Sequence, residues 1–287
     1  MTNPTVTSFF DEPTFTVTYV VADPASKQAV IIDPVLDFDL ASGRTSTEGA
    51  DAVIRHCEQQ SLDVRWVLET HVHADHLSAG HYLAEALGAK TAIGNRVPVV
   101  QEVFAKLFNI SDISGTGSEF GHLFADGDSI DLGEVQGKVM FTPGHTPACV
   151  TYVFGDAAFV GDTLFMPDFG TARTDFPGGD AGELFDSIRT TLSLDPSTRL
   201  FLCHDYKAPG RDSYAWETSV TEQRANNVHI SDAVSRDEFV AMRKGRDAEL
   251  AVPKLLLPAV QCNLRAGRLP PEESNGIRYL KIPLNSL

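Results

Sequence analysis

Apolar β-branched and aromatic residues alternate with polar ones through Phe15-Thr16-Val17-Thr18-Tyr19-Val20-Val21 and recur in Ala29-Val30-Ile31-Ile32. Asp23-Pro24-Ala25-Ser26 separates the two runs, so the pattern predicts strand, turn and strand over 14–33. Over 49–60 the apolar positions Ala50, Val53, Ile54 and Cys57 fall at helical spacing, and Trp66-Val67-Leu68 follows as a short buried strand. A second helix is predicted over 78–87, closed by Gly88, then a strand at Thr91-Ala92-Ile93 and a third helix over 97–108 with Pro98 near its start. Strands dominate from 120 to 165. A helix over 181–192 and a strand at Leu200-Phe201-Leu202 come next, helices take over from 218 to 244, and a strand-like run at 277–282 follows Pro270-Pro271. No linker, low-complexity segment or repeat interrupts the alternation. The expectation is one layered α/β domain over 1–287, with a C-terminal extension from about residue 207.

Composition narrows the class. Hydrophobic residues make up 43% and charged residues 22%, which excludes disorder and fibrous repeats. With 23 Lys+Arg against 39 Asp+Glu, the net charge of −16 repels a phosphate backbone, so no nucleic acid and no anionic membrane surface is expected as partner. An anionic substrate then needs a local cationic patch. The four cysteines, Cys57, Cys149, Cys203 and Cys262, show no paired spacing and read as reduced thiols. The first residues carry no targeting pattern and nowhere do 18 apolar residues run together, so a cytoplasmic protein without a membrane span is expected. Asn109-Ile110-Ser111 matches a glycosylation acceptor, a tripeptide that arises by chance and carries no weight here.

The histidines say more. Of nine, five fall with two aspartates into one arrangement: His71-Val72-His73-Ala74-Asp75-His76, then His145 in Thr142-Pro143-Gly144-His145-Thr146, Asp162 in Val160-Gly161-Asp162-Thr163, and His204 in Cys203-His204-Asp205. Each group follows a predicted strand, where loops at one sheet edge can aim several donors at one point. In an extended stretch His71 and His73 project to the same side, while Asp75 and His76 turn in as the next helix begins. Several converging N and O donors are what a metal requires. His56, His81, His122 and His229 stand alone and read as ordinary hydrogen-bonded histidines. Asp128 and Asp205 read as solvated loop carboxylates, and Cys149 as a small buried residue opening the strand Val150-Thr151-Tyr152-Val153.

The H-x-H-x-D-H segment with His145, Asp162 and His204 resembles the metallo-β-lactamase superfamily over about residues 14–206. That resemblance implies an αββα sandwich, two mixed β-sheets flanked by helices, with the metal site at one sheet edge. Three stretches look like the persulfide dioxygenase branch, the sulfur dioxygenases related to the human ethylmalonic encephalopathy protein: Glu69-Thr70-His71-Val72-His73-Ala74-Asp75-His76-Leu77-Ser78-Ala79-Gly80, Gly161-Asp162-Thr163-Leu164-Phe165 and Arg173-Thr174-Asp175-Phe176. By that resemblance one Fe(II) per chain is held by His71, His145 and Asp162. His73, Asp75, His76 and His204 match positions where other members bind a second metal, and in the dioxygenases they stay off the iron. The implied reaction oxidises glutathione persulfide with O₂ to sulfite and glutathione, and the branch also suggests a homodimer. Residues 166–172 depart from the animal-type members, with Pro167-Asp168-Phe169-Gly170-Thr171 in place of a shorter cysteine-containing loop. The C-terminal part resembles longer bacterial relatives labelled β-lactamase-like hydrolases.

For the carboxylates of a glutathione carrier, Arg173, Tyr206, Lys207, Arg211 and Arg246 are the candidate substrate-binding side chains, and an Arg173 paired with Asp175 or Asp168 for structural reasons is the competing reading. The rival function is a dinuclear hydrolase of the glyoxalase II type. It would use all seven ligands with zinc, Asp162 bridging the metals and a hydroxide attacking a glutathione thioester.

Overall fold

In the computed structural model, which describes residues 2–286, the chain opens with an antiparallel run of β1 (Thr5–Asp11), β2 (Thr16–Ala22) and β3 (Gln28–Ile32). The hairpin of β4 (Val35–Asp39) and β5 (Arg44–Ser46) leads to α1 (Glu48–Gln59), β6 (Asp63–Leu68), the short β7 (Leu77–Ser78), α2 (Gly80–Leu87), β8 (Lys90–Gly94), α3 (Val97–Leu107) and β9 (His122–Phe124). The first sheet has the order β1-β2-β3-β6-β8-β9, with parallel pairing from β3 onward. The second is built from β10 (Ser129–Leu132), β11 (Val135–Phe141), β12 (Val150–Phe154), β13 (Ala157–Phe159), β14 (Arg199–Phe201) and β15 (Glu217–Ser219), in that order. A single 3₁₀ turn (Gly161–Thr163) and α4 (Ala181–Thr191) connect β13 to β14, which makes that pair parallel. Helices α5 (Val220–Asn226), α6 (Arg236–Asp247) and α7 (Leu256–Asn263) follow.

The two-residue period of a strand explains how the layers assemble. All seven residues of β2 are buried. Val17, Tyr19 and Val21 enter the core between the sheets, while Val20 and Ala22 face the helices on the outside. The same sorting places Val30 and Ile32 of β3 between the sheets and Ala29 and Ile31 under α1, α2 and α7. On the second sheet Ala158 and Leu200 meet α4, α5 and α6, while Phe159 and Phe201 point inward and stack at 5.0 Å. The result is an αββα sandwich of two mixed sheets, as the resemblance implies.

Several elements differ from the sequence expectation. Helix α2 starts at Gly80 and not at 78, because Leu77 and Ser78 pair with Val35 and Leu36 as a strand. Strand pairing ends at Phe159 rather than 165, and Asp162 sits in the 3₁₀ turn. The stretch 218–244 begins as strand and is broken between α5 and α6. Residues 277–282 form no strand: a lone bridge joins Glu272 to Arg278, and Ile277, Tyr279 and Ile282 are exposed with no sheet edge beside them. Elements β1, β4, β5 and α7 carried no recognised signal. Among the described residues no helix is long and apolar enough to cross a membrane, and the four cysteines are buried and unpaired.

Candidate metal centre

One edge of the sandwich collects the chemistry. Asp33 follows β3, residues 69–76 follow β6, His145 follows β11, Asp162 follows β13 and His204 follows β14, while Thr16 opens β2 at the same edge. Four metal-competent groups result among the described residues: His71, His145 and Asp162; His73, Asp75, His76 and His204; Asp162, Cys203 and His204; and, behind them, Asp33, Glu69 and His73, with the ligand atoms of each group within 4.8 Å of one another.

Hydrogen bonds fix which nitrogen of each imidazole is bare. His145 Nδ1 lies 2.7 Å from the Arg173 carbonyl, which can only accept, so the proton sits on Nδ1 and Nε2 keeps its lone pair. The Thr70 hydroxyl donates to Asp33 at 2.8 Å and therefore accepts from His71 Nδ1 at 3.0 Å, leaving His71 Nε2 bare. His204 Nδ1 donates to the Phe15 carbonyl at 3.3 Å. His76 Nδ1 faces the Thr16 hydroxyl at 3.4 Å. His73 is turned the other way: its Nε2 donates to Asp33 Oδ1 at 2.9 Å, with Glu69 Oε2 at 3.3 Å, and Nδ1 faces the cluster.

This leaves His71 Nε2, His73 Nδ1, His76 Nε2, His204 Nε2, Asp75 Oδ2 and Asp162 Oδ1 buried with no hydrogen-bond partner. Six orphaned acceptor-type atoms in one place are prohibitive in a folded protein unless a cation satisfies them. The donor set therefore fits a metal. Asp162 Oδ2 lies 3.8 Å from His71 Nε2 and 3.5 Å from His145 Nε2, and its other oxygen lies 3.3 Å from His204 Nε2. Ligand atoms on a shared metal with bonds of ~2.0–2.2 Å stand about this far apart. Asp162 thus presents one oxygen to each group. Burial pulls the His204 imidazole down, but Asp75 and Asp162 outweigh it and hold it up at about 9. Burial pushes the Asp162 carboxyl up, and His204, His71 and His145 overcome this and keep it well below the usual carboxylate range.

Beside the cluster lies a cavity of about 320 Å³ lined by Asp75, His145 and Asp162, by the aromatic rings of Phe165, Phe169, Phe176 and Tyr206, and by Arg173, His229, Arg243 and Arg246. A larger hollow of about 450 Å³ beside the β4–β5 hairpin touches none of the seven ligands. Of the five candidate substrate-binding residues, Arg173, Tyr206 and Arg246 line the cavity. Arg173 is at the same time clamped by Asp175 at 2.6 Å and bonded to the Ala251 carbonyl at 2.7 Å. Tyr206 stacks on His204 with ring centroids 5.6 Å apart. Lys207 instead covers the Tyr214 ring at 4.0 Å, and Arg211 is held by Asp205 at 2.6 Å and Asp168 at 2.7 Å, so neither reaches the cavity wall.

Other sequence readings change. Asp205 is not solvated: it is 1% exposed, and its carboxylate accepts from Arg211 and from the Ala215 N–H. Asp128 accepts from the Ala125 N–H at 2.7 Å, away from the imidazoles. The second carboxylate shell is Asp33 and Glu69, which sequence reasoning passed over although Asp33 ends a strand and Glu69 opens the histidine motif. His229, read as ordinary, lines the cavity. Cys149 is buried, its sulfur accepting from the Thr146 N–H at 3.4 Å, and burial pushes its thiol up to about 12.

A sequence model of the metallo-beta-lactamase superfamily matches residues 11–204. The chain is 54% identical over 284 residues to a beta-lactamase hydrolase-like protein of Xylella fastidiosa, covering 99% of this chain but 65% of that relative's length. It is 48% identical to glyoxylase B2 of Dictyostelium discoideum, over 93% of this chain and 92% of that one. It is 30% identical to the human mitochondrial persulfide dioxygenase, over 90% and 87% respectively. Among solved structures, ETHE1 from Myxococcus xanthus superimposes with a TM-score of 0.73 at 31% identity, covering 92% of this chain and 100% of that one.

Proposed function

The chain belongs to the metallo-beta-lactamase superfamily, and from that premise we propose that it is a persulfide dioxygenase acting on glutathione persulfide at one Fe(II) held by His71, His145 and Asp162. The observation that carries this reading is the group of two imidazoles and one carboxylate beside the aromatic cavity, whose lining includes His145 and Asp162. Such a facial set leaves coordination positions open, and Fe(II) bound there supplies sites for both a persulfide sulfur and O₂. The overall change, GSSH + O₂ + H₂O to GSH, sulfite and two protons, needs no organic cofactor.

The chain's own side chains divide the remaining work. The Arg173 carbonyl and the Thr70 hydroxyl orient His145 and His71. Phe165, Phe169 and Phe176 keep water from the sulfur, and the cationic side chains of the cavity receive the carrier's carboxylates.

One observation favours a second reading. All seven donors converge, and Asp162 turns one oxygen to each group. This suits a dinuclear thioester hydrolase with zinc, and similarity to a protein named glyoxylase B2 points the same way. Metal content after purification without added metal, together with O₂ uptake on fresh glutathione persulfide, separates the two. One iron per chain with O₂ uptake supports the dioxygenase. Two metals per chain, no O₂ uptake and cleavage of S-lactoylglutathione overturn it.

A further inference from the structure

His229 sits in the connection between α5 and α6, in a setting built around its ring. Its Nδ1 accepts from the Thr171 backbone N–H at 3.1 Å, a group that can only donate, so the proton of the neutral imidazole lies on Nε2. That nitrogen has no protein partner among the described residues, and the side chain, 9% exposed, lines the cavity shared with His145 and Asp162. Gly170 makes room for it: with φ +105°, a Cβ there would stand 2.1 Å from His229 Nδ1. Asn227 locks the turn, donating to the Gly170 carbonyl at 3.1 Å and accepting from the His229 N–H at 2.8 Å. Burial, then Arg246 and Arg243, pull the imidazole down to about 4, so it remains a neutral donor at working pH.

The guanidinium groups of the cavity are not equivalent. Arg173 is clamped by Asp175, and Arg243 is paired with Asp247 at 2.7 Å while holding the Thr171 carbonyl at 3.1 Å. Arg246 has no carboxylate or hydrogen-bond partner among the described residues. In a chain of net charge −16, an unpaired cation beside an unpartnered donor on the same cavity wall marks a place for an anionic group.

We propose that His229 Nε2–H and the Arg246 guanidinium together bind a carboxylate of the thiol carrier, making His229 a positioning residue that selects carboxylate-bearing thiols over plain ones. The inference rests on the reading of this cavity as the persulfide site. His229→Phe keeps the ring volume and removes the donor, His229→Gln keeps a donor at the same reach, and Arg246→Gln removes the charge. Each variant is titrated with glutathione and with cysteamine, which lacks a carboxylate, in the metal-loaded protein, and O₂ uptake on glutathione persulfide is followed in parallel.

Loss of a hydrogen bond to a charged group predicts about tenfold weaker glutathione binding and about tenfold higher KM for His229→Phe and Arg246→Gln, with kcat and cysteamine binding unchanged and His229→Gln within about threefold of wild type. Wild-type glutathione affinity in His229→Phe overturns the proposal, as does parallel loss of glutathione and cysteamine, the mark of a collapsed pocket. Wild-type protein that consumes no O₂ but cleaves S-lactoylglutathione, with KM raised in the variants, removes the dioxygenase reading and keeps the role of His229. Wild-type protein that does not bind glutathione overturns both.

Discussion

Phe15, Thr70 and Arg173 belong to neither ligand group, yet each accepts a hydrogen bond from the Nδ1–H of one imidazole and so leaves the opposite nitrogen free. Removing such a partner typically costs 10–100-fold in metal affinity, so Thr70→Val should weaken metal binding by about that factor in a chelator competition. His71→Ala should abolish metal loading at the catalytic group and all turnover. His76→Ala discriminates between the two functional readings: with one iron per chain it keeps the iron and O₂ uptake to within about fivefold, whereas a dinuclear hydrolase loses a metal and its thioesterase activity. The thiols are inert by burial, which pushes Cys57 up to about 11 and Cys149 and Cys262 up to about 12. Native protein at pH 8 should therefore resist iodoacetamide, and all four cysteines should label after denaturation, as mass spectrometry can count.

At the scale of elements, the loop carrying His145 is seated on the start of α4. Asp180 caps that helix, its carboxylate accepting from the Gly182 and Glu183 N–H groups, while its own N–H donates to the Gly144 carbonyl at 2.9 Å. Asp180→Ala should lower stability by about 1 kcal/mol in thermal or urea unfolding. Gly144→Ala is more severe: at φ +135° the new Cβ would stand 2.3 Å from the Leu184 backbone, so loop and helix must separate. A loss of about 3 kcal/mol or more and reduced metal content are expected together. The same scale explains where the reading of patterns failed. The run 277–282 reads like a strand but Ile277, Tyr279 and Ile282 are exposed with no strand pairing, and Ser78 reads as the start of a helix until Leu77-Ser78 pairs with β4. Periodicity reports which face of an element is apolar, whereas pairing depends on a partner far along the chain.

The two sheets are tied across the whole molecule by Asp23, in the turn between β2 and β3. It accepts from Ser26 Oγ at 2.6 Å, from the Ala25 and Ser26 N–H groups, and from the Glu134 N–H of the β10–β11 turn at 3.0 Å. The Ser26 hydroxyl, with help from these backbone donors, lowers its carboxyl to about 2. A depressed carboxylate stabilises the fold above the unfolded value near 3.9, and that contribution disappears as pH falls through about 2. The melting-temperature gap between wild type and Asp23→Asn should thus be widest above pH 5 and close by pH 2. Much of this molecule could be read without coordinates, because the determining information is local: β-branched alternation set the central strands, and H-x-H-x-D-H, His145, Asp162 and His204 each mark the end of one. The tertiary structure alone decided that Asp33 and Glu69 support His73, that Lys207 and Arg211 are occupied elsewhere, and that a solitary His229 faces the cavity with Arg246. The physical reason is that a lone polar residue has no period or spacing of its own, and its role depends on which distant backbone and carboxylate groups the packed sheets and helices bring within about 3 Å of it.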